Sequence, residues 1–575
     1  GITGETLTLT VAGQQTNAGT YTATASTTNG NYTLTNATTS FTIAKATYDM
    51  SDISFTDLTV PYDEAAHTLT ISGTLPSGVS VTYTTNSYTD VGTYTVTASF
   101  TGDSQNYNAI PNKTATLTIT SSTATATTAE QLTSYVANAN YGTVILGADI
   151  AADVEIAENR TIILDLNGHT LTNVSAHTIY NNGTLTVIDS SEAKTGVVDN
   201  ITHAKAALYN EVGATATLNG GEFTRSKENG SSSTESGGNS YYAILNHGTM
   251  TINAGTKVTQ NGHYSSLLEN GWYDGSENTD ETASVLTING GEFTGGLNTI
   301  KNDDWGVLTI NDGEFSNMTQ SVVLNWNVAE INGGTFTVSE DAEQFAFILN
   351  GYINDTMDRG VLTVSADVTF NGSASIFAQM GGSKNAGTIT VNSEEHLNAA
   401  LEVSSVTIIL GTDMTVNAVI EKGVTVTLDL NGHTLTSDVT GKATVHNYGD
   451  VTIVGNGLIT RGTNTKWYVI VNEGTMTLDG DFTVKNDNTS DSSSVIINNY
   501  DCDSAAPAQL TINDGTYYSA SSNAVKNDEY GVLTIDGGTF ETSIATHVAV
   551  QNWATMTING GEFTGPGQAV SVMAY

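Results

Sequence analysis

A short strand-forming unit recurs through most of the chain and limits the folds that the chain can adopt. Residues 286–293 read Leu-Thr-Ile-Asn-Gly-Gly-Glu-Phe. Close copies of this unit begin at Leu308, Ala329, Leu510, Leu533 and Met556. From about residue 122 onward, repeats of this kind follow one another at about 21 to 36 residues. A period in this range is typical of solenoids, in which each repeat stacks on the previous one.

A short apolar strand that ends in asparagine precedes each unit. These asparagines are Asn181, Asn210, Asn246, Asn270, Asn302, Asn325, Asn350, Asn447, Asn472, Asn498, Asn527 and Asn552. Asn and Gly tolerate the left-handed backbone conformation that sharp corners require. Stacked asparagine side chains can also hydrogen-bond from one coil to the next. The pattern therefore predicts a parallel β-helix with an asparagine ladder.

The solenoid pattern occurs twice. Residues 165–172, Asp-Leu-Asn-Gly-His-Thr-Leu-Thr, return unchanged as residues 429–436. We therefore predict one β-helix over residues 122–390 and a second over residues 391–575.

A short helical pattern precedes each copy. Thr128 and Ser393 are the predicted N-caps, and the apolar residues that follow them are Leu132, Val136, Leu397 and Leu401. Because the ends of a solenoid expose core residues and unpaired strand edges, each helix is predicted to be an N-terminal cap.

A different repeat occupies the first 121 residues. Residues 17–21, Asn-Ala-Gly-Thr-Tyr, return as residues 90–94, Asp-Val-Gly-Thr-Tyr. Alternating threonine and apolar residues at 114–120 predict half-buried strands. We predict a complete small β-sandwich at residues 46–121 and the tail of another at residues 1–45.

Two resemblances follow from these motifs. Tyr62-Asp63, Ile71-Ser-Gly73, Val91-Gly-Thr-Tyr94 and Asn106-Tyr-Asn108 resemble the MBG-type immunoglobulin-like repeats of bacteria, which implies a surface stalk. The coils resemble the right-handed, pectin-lyase-like β-helix of bacterial surface proteins and adhesins. The expected fold is all-β, with immunoglobulin-like β-sandwich repeats and two capped right-handed parallel β-helices. Polysaccharide lyases, glycosidases and adhesins share this scaffold, so it leaves the function open.

Charge excludes several classes of partner. The chain has 17 Lys and Arg against 59 Asp and Glu, and its formal net charge is −42. Nucleic acids and anionic membranes need a basic surface, so neither is an expected partner.

No apolar run approaches the roughly 18 residues of a membrane span. Cys502 is the only cysteine, which excludes an intrachain disulfide. We expect an extracellular protein, attached to the cell wall or cell surface through regions outside this sequence.

Catalytic motifs of β-helix enzymes are incomplete. Polygalacturonases carry Asn-Thr-Asp, Asp-Asp and Gly-His-Gly in that order. Here His247-Gly248 comes before Asn278-Thr-Asp280 and Asp303-Asp304, and it lacks the first glycine. A lyase needs a basic residue, and the arginines fall in different repeats: Arg160, Arg225, Arg359 and Arg461. These observations disfavour catalysis.

Several histidine and acidic residues are candidate ligands. His169 and His433 occupy the two copies of the Asn-Gly-His-Thr turn, and their matching positions favour a structural role. Asp303, Asp304, Asp528 and Glu529 crowd oxygen ligands into turns, which is the chemistry that calcium selects. Solvated acidic turns are favoured over calcium sites. No other cofactor is expected.

Aromatic residues follow the ladder asparagines closely. This set, here called the aromatic strip, comprises Trp272, Trp305, Trp326, Tyr448, Tyr500, Tyr530 and Trp553. Because ladder positions stack, we expect the strip to follow one edge of each solenoid. Exposed aromatic rows usually mark recognition sites. The alternative is that the rings fold over the turns and shield the coils.

The predicted function is a non-catalytic adhesin-like binding region of a large bacterial cell-wall protein. Its expected ligand is a host glycan or a host protein, with immunoglobulin as one candidate. One alternative is a polysaccharide-degrading β-helix enzyme, either a lyase or a glycoside hydrolase. A second alternative is a purely structural stalk.

Overall fold

The computed structural model describes residues 3–230, 241–273, 284–317, 319–338, 346–351, 360–379 and 386–573, except for the side chains of residues 229 and 230. The fold is all-β and rich in long parallel sheets, as predicted. The described residues contain two short helices, neither of which has the length and apolarity needed to cross a membrane. The chain divides into two compact units, Gly1–Ala124 with Asn138–Thr143 and Thr125–Ala137 with Val144–Tyr575.

The first unit contains two small sheets. The antiparallel sheet consists of Leu9–Ala12, Gly19–Thr27 and Thr38–Ile43. The mixed sheet consists of Leu58–Pro61, Lys113–Thr120, Gly92–Thr101 and Ser80–Tyr83 in spatial order. Along Lys113–Thr120 the apolar residues are buried and alternate with half-buried or exposed threonines, which is the period-2 pattern that the sequence predicts. Leu69, Val96, Leu117 and Ile119 form the core of this unit.

The second unit is a stack of coils in which strands of successive coils pair in parallel. Three rows of strands run along the stack, here called the first face, the second face and the ladder face. The strands Ser122–Ala126 and Tyr141–Leu146 each begin in the first unit and end in the second. The first face of the second unit continues with Thr161–Asp165, Thr184–Ile188, Thr215–Leu218, Thr249–Ile252, Val328–Ile331, Val361–Val364, Thr388–Val391, Val406–Leu410, Thr425–Asp429, Asp450–Val454, Thr475–Asp479, Gln509–Ile512, Val532–Ile535 and Thr555–Ile558.

The second face contains Ile150–Ala151, Thr170–Thr172, Val197–Asp199, Gly221–Gly230, Thr256–Gly262, Thr335–Val338, Thr369–Asn371, Met414–Thr415, Thr434–Ser437, Gly457–Arg461, Phe482–Asn486, Thr516–Ser519, Thr539–Thr542 and Glu562–Thr564. Two longer strands, Ser284–Gly295 and Gly306–Asn317, run from the first face into the second.

The ladder face contains Val154–Ile156, Ile179–Asn181, Leu208–Asn210, Ile244–Asn246, Leu268–Asn270, Asn298–Asn302, Ser321–Asn325, Ala346–Asn350, Ser375–Gln379, Ala418–Ile420, Val445–Asn447, Ile470–Asn472, Ile496–Asn498, Val525–Asn527, Val550–Asn552 and Val570–Val572.

Equivalent side chains of successive repeats stack on one another. Phe293, Phe315 and Phe336 are register partners, and their rings stack with centroids 4.8 and 4.9 Å apart. This spacing is the distance between neighbouring strands of a sheet, about 4.7 to 4.9 Å. Each repeat buries its inward-facing apolar side chains against those of the neighbouring repeats. Together they form one apolar core that runs from Ala126 to Val550.

The predicted asparagine ladder is confirmed. In the first half, each ladder Nδ2 from Asn181 to Asn325 donates to the Oδ1 of the next ladder asparagine at 2.7 to 2.9 Å. Asn447 begins a second ladder that ends at Asn552, with distances of 2.7 to 2.8 Å. None of these asparagines adopts the left-handed conformation that was expected of corner residues. They end extended strands, and their amide groups satisfy buried polar atoms.

The two predicted cap helices are present as α1, Ala129–Ala137, and α2, Glu394–Ala400. Thr128 Oγ1 accepts a hydrogen bond from the Gln131 backbone N–H at 3.3 Å. Ser393 Oγ accepts one from His396 at 3.1 Å, so both predicted N-caps are confirmed. The apolar residues predicted for both helices are buried.

Helix α2 lies inside the stack. The strands on either side of it, Thr388–Val391 and Val406–Leu410, pair with each other, so the first face continues across residue 391. The other two faces are interrupted there, because the ladder strand Ser375–Gln379 is the last of its sheet and Ala418–Ile420 begins a new one. The predicted β-helices at 122–390 and 391–575 thus share one sheet and one core. Their independence as domains stays a prediction.

Candidate functional site

The aromatic strip is divided between several environments. Trp272 and Trp305 are half-buried and stack on each other, with centroids 5.4 Å apart and planes 16° apart. Trp326 is buried, with 6% of its surface exposed. Tyr448, Tyr500 and Tyr530 are 38%, 38% and 54% exposed, and Trp553 is half-buried. The tyrosines are therefore available to a ligand, whereas Trp326 supports its neighbours from inside the protein.

The stacked tryptophans continue a row of rings from earlier coils. Tyr180 and Tyr209 are register partners on the ladder face, and their rings meet edge to face at 5.1 Å. The Tyr209 hydroxyl lies 2.9 Å from His247 Nδ1, and the His247 ring lies 5.1 Å from Trp272. The row was missed because these tyrosines come before the ladder asparagine, in the motifs Ile-Tyr-Asn and Leu-Tyr-Asn.

The second half of the stack forms an aromatic cleft on the outside of the ladder face. The cleft has a volume of about 380 Å³. Its lining includes Asn417, Glu421, His446, Tyr448, Trp467 and Tyr500. His446 lies on a ladder strand, and Tyr448 and Tyr500 follow ladder asparagines. Asn417, Glu421 and Trp467 lie just outside the ends of ladder strands. The His446 and Tyr448 rings stack at 4.2 Å, and Trp467 meets Tyr500 edge to face at 5.9 Å.

Trp467 and His446 were not part of the predicted strip. Trp467 precedes its ladder strand by three residues, and His446 lies within one. A search for aromatic residues on both sides of the ladder asparagines would have found them. Burial is the largest cause that lowers the pKa of His446. The imidazole is therefore neutral near pH 7 and can stack as an uncharged ring.

An acidic cleft of about 680 Å³ adjoins the aromatic cleft, and Tyr448 and Glu421 line both. Glu473, Asp501 and Asp503 also line the acidic cleft. The backbone N–H of Asp501 donates to Glu473 Oε1 at 3.1 Å. Burial, together with the charge of Asp501, raises the pKa of Glu473 to about 7. At neutral pH this carboxyl therefore holds a proton part of the time and can donate or accept a hydrogen bond.

Tyr530 and Trp553 line a separate small cleft of about 340 Å³ together with Glu529. Tyr530 has a left-handed backbone conformation with φ of 64°, and its ring is exposed. Within the described residues, the Trp553 Nε1–H is buried and has no hydrogen-bond acceptor. This cleft offers a ligand fewer kinds of contact than the aromatic cleft does, because a single carboxylate and two rings form most of its lining.

The calcium candidates have protein partners. Asp303 is buried and forms an ion pair with Lys301. Asp528 forms an ion pair with Lys526 at 2.6 Å. Among the described residues, no group of three or more His, Cys, Asp or Glu side chains is arranged to hold a metal ion. The lysine ammonium groups occupy the position that a cation would take beside these two carboxylates.

Residues weighed for catalysis have structural contacts. Arg160 donates to the carbonyls of Val136 and Thr161, and Arg461 donates to those of Lys442, Tyr468 and Val439. The buried Arg225 pairs with Glu228 at 2.8 Å. These three guanidinium groups hold loops of the stack. Arg359, Asn278 and Asp280 lie outside the described residues.

The duplicated histidines have identical contacts in both halves. His169 Nδ1 lies 3.3 Å from Asp149 Oδ1, and His433 Nδ1 lies 3.3 Å from Asp413 Oδ1. Each aspartate belongs to the preceding coil. In the structural role favoured for these turns, each histidine therefore links its coil to the preceding one.

Comparison with known proteins identifies no relative: no family model, curated protein or solved structure matches the chain. The chemistry of the aromatic cleft therefore rests on the side chains that line it.

Proposed function

We propose that this protein is a non-catalytic, surface-displayed binding region of a large bacterial cell-wall protein. In this proposal, immunoglobulin-like repeats in the first unit form a stalk, and right-handed β-helical coils present the ligand site. The ligand is a host glycan or a host protein, with immunoglobulin among the candidates. The observation that carries the proposal is the aromatic cleft, where exposed rings and polar side chains line one concavity.

A glycan suits the chemistry of this cleft best. The apolar faces of sugar rings stack on exposed tyrosine and tryptophan rings, and Tyr448 and Tyr500 each present more than a third of their surface. Asn417 and Glu421 supply amide and carboxylate groups that can hydrogen-bond to sugar hydroxyls. The cleft volume lies at the lower end of the range for small-ligand pockets, roughly 300 to 1,000 Å³.

A host protein is the other ligand class within this proposal. The acidic cleft beside the rings favours a partner with a basic patch, because opposite charges speed association and fix orientation. Binding of such a partner should weaken as the salt concentration rises. Binding of a neutral glycan should change little with salt.

A polysaccharide-degrading enzyme is the second candidate, and one observation favours it. Glu473 and Asp501 adjoin the Tyr448 ring, and the raised pKa of Glu473 is the property that a general acid needs. If this candidate is correct, bound glycans release new reducing ends and Glu473→Gln abolishes the release. If glycans bind and stay intact, the non-catalytic proposal holds.

The decisive experiment screens the protein against a glycan array and a panel of secreted host proteins, including immunoglobulins. A double variant, Tyr448→Ala with Tyr500→Ala, should lose at least about 30-fold in affinity, since aromatic hot spots contribute about 2 kcal/mol or more. Tyr264→Ala is the matched control, because this tyrosine is 43% exposed and lies outside the cleft.

Melting temperatures separate recognition from packing. Both variants should melt close to the wild type, since exposed rings contribute little to the core. Absence of any ligand in the screen would support the stalk alternative. Equal affinity of the double variant and the control would place the binding site elsewhere, and Tyr530→Ala with Trp553→Ala would then test the smaller cleft.

A further inference from the structure

Three ionisable side chains from neighbouring coils meet on the outside of the ladder face. Lys301 and Glu269 are register partners on paired strands, and Lys301 Nζ lies 3.1 Å from Glu269 Oε1. The Asp303 carboxylate, two residues beyond the lysine, is the second ion-pair partner of the same Nζ. We propose that Lys301 and Glu269 condense into an intramolecular amide bond, with Asp303 as the proton acceptor, so that two adjacent coils become covalently linked.

The cluster is largely removed from water. Asp303 is fully buried, and Glu269 is 6% exposed. Lys301 Nζ lies 4.5 Å from the centroid of the buried Trp326 ring. Condensation of an amine with a carboxylic acid releases water, so a dry site favours the amide over its hydrolysis. The apolar surroundings therefore supply the condition that free amino acids in water lack.

The charges of the cluster are unequal, since two carboxyl groups share one ammonium group. An unpaired buried charge is costly, so one carboxyl group is driven to hold a proton. Burial is the largest cause that raises the pKa of Glu269, and the charge of Asp303 adds to the rise while Lys301 opposes it. Glu269 is thus the neutral acid and the electrophile.

The lysine must first lose a proton. Desolvation lowers the pKa of Lys301, but the surrounding carboxylates raise it by more, so the ammonium form is present before the reaction. Asp303 accepts this proton directly, since it contacts Nζ. The neutral amine then attacks Cδ of the protonated Glu269. The new C–N bond forms, the carboxyl C–O bond breaks, and the hydroxyl leaves as water with the second amine proton. Asp303 keeps the first proton, so charge and atoms balance.

The lysine motif occurs twice more in the chain, and one of these copies lies on the ladder face without an electrophile beside it. The motif Lys-Asn-Asp of residues 301–303 recurs at 485–487 and 526–528, and both copies form ordinary ion pairs at 2.7 and 2.6 Å. The register partners of Lys526 in the neighbouring coils are Ile497 and Gln551. Neither is a carboxylic acid, so Lys526 is the internal control for Lys301.

The test is the intact mass of the full-length protein, followed by sequencing of its proteolytic peptides. The wild type should weigh one water less than its sequence requires, and a branched peptide should join Lys301 to Glu269. Lys301→Arg should restore the full mass, whereas Lys526→Arg should keep the loss. Asp303→Asn should leave a larger fraction of molecules without the bond.

Three results would overturn the proposal. A wild-type mass equal to that of the sequence would show an ion-pair cluster without a bond. A loss of water that persists in Lys301→Arg would come from another site, such as dehydration at an Asp-Gly sequence. A branched peptide that joins Lys301 to any residue other than Glu269 would assign the wrong electrophile. Because the wild-type mass decides the question, the result does not depend on whether the variants fold.

Discussion

At the scale of single residues, the same amide contact occurs in two settings. The buried ladder joins Asn302 to Asn325 at 2.9 Å. An exposed asparagine ladder, which sequence reasoning missed, runs along the Gly-Gly corner of the coils and includes a contact from Asn311 to Asn289 at 2.8 Å. The lengths are alike, but water can replace only the exposed contacts. A comparison of the two ladders therefore distinguishes the free energy that a hydrogen bond contributes from the penalty of leaving a buried polar group unpaired.

Asn325→Ala should lower the free energy of unfolding by about 2 to 3 kcal/mol or more, whereas Asn311→Ala should lower it by about 1 kcal/mol or less. Removal of the Asn325 amide takes away the donor to Asn350 Oδ1 and to the Val361 carbonyl, both in the interior of the stack. Urea denaturation of both variants beside the wild type measures the difference. Equal losses would mean that water or a shift of the coils satisfies the buried groups.

Glu473 should make stability depend on pH. Its folded pKa of about 7 lies above its ordinary value, so the folded protein binds the proton more tightly than the unfolded chain does. Stability from this group is therefore present at low pH and falls as the pH rises from about 4.5 to about 7. Glu473→Gln keeps a similar shape without titrating. Melting temperatures between pH 4 and pH 8 should show the wild type losing stability relative to this variant. A constant difference would contradict the raised pKa.

At the scale of elements, the sequence was sufficient wherever a contact repeats in register. A copy such as residues 308–315 contains the same inward residues as residues 286–293, so alternation and period predict both the strands and the buried ladder. The capping role of Ser393 could also be predicted from neighbouring residues alone, because its side chain acts within one helical turn. The position of α2 could not be predicted in this way. Pairing of the strands on either side of it depends on how coils stack, which no local pattern specifies.

The same distinction explains the candidate site. Ladder periodicity predicts where Tyr448 and Tyr500 emerge, because both follow an asparagine at a corner. It does not predict that Trp467, from a connecting segment, joins them to line one cleft. Nor does it predict that Trp326 is buried while Tyr530 is exposed. Exposure depends on the loops between the strands, whose lengths differ from coil to coil.

At the scale of the whole molecule, the second unit has one apolar core with a helix inserted in it. Leu397 and Leu401 of α2 are buried in this core, and the helix packs against Val406–Leu410. Another side of α2 presents His396 to Phe370 and Phe377 of the first half. The helix therefore covers the open end of the second half, and it also packs against Ser375–Gln379 of the first half, where the buried His396 ring meets Phe377.

This arrangement predicts that a fragment of residues 386–575 folds without the rest of the chain. It keeps the strand Thr388–Val391 and α2, so its first complete coil stays covered, and the new surface that it exposes includes the polar His396. A shorter fragment, residues 404–575, loses the helix and uncovers the core beneath Leu397 and Leu401. It should melt at a lower temperature, since each buried leucine contributes roughly 1.5 to 3 kcal/mol. Circular dichroism and thermal melting of both fragments measure these outcomes. If residues 386–575 are unfolded while the full chain is stable, the two halves form a single folding unit, because the first half then supplies packing that α2 alone does not replace.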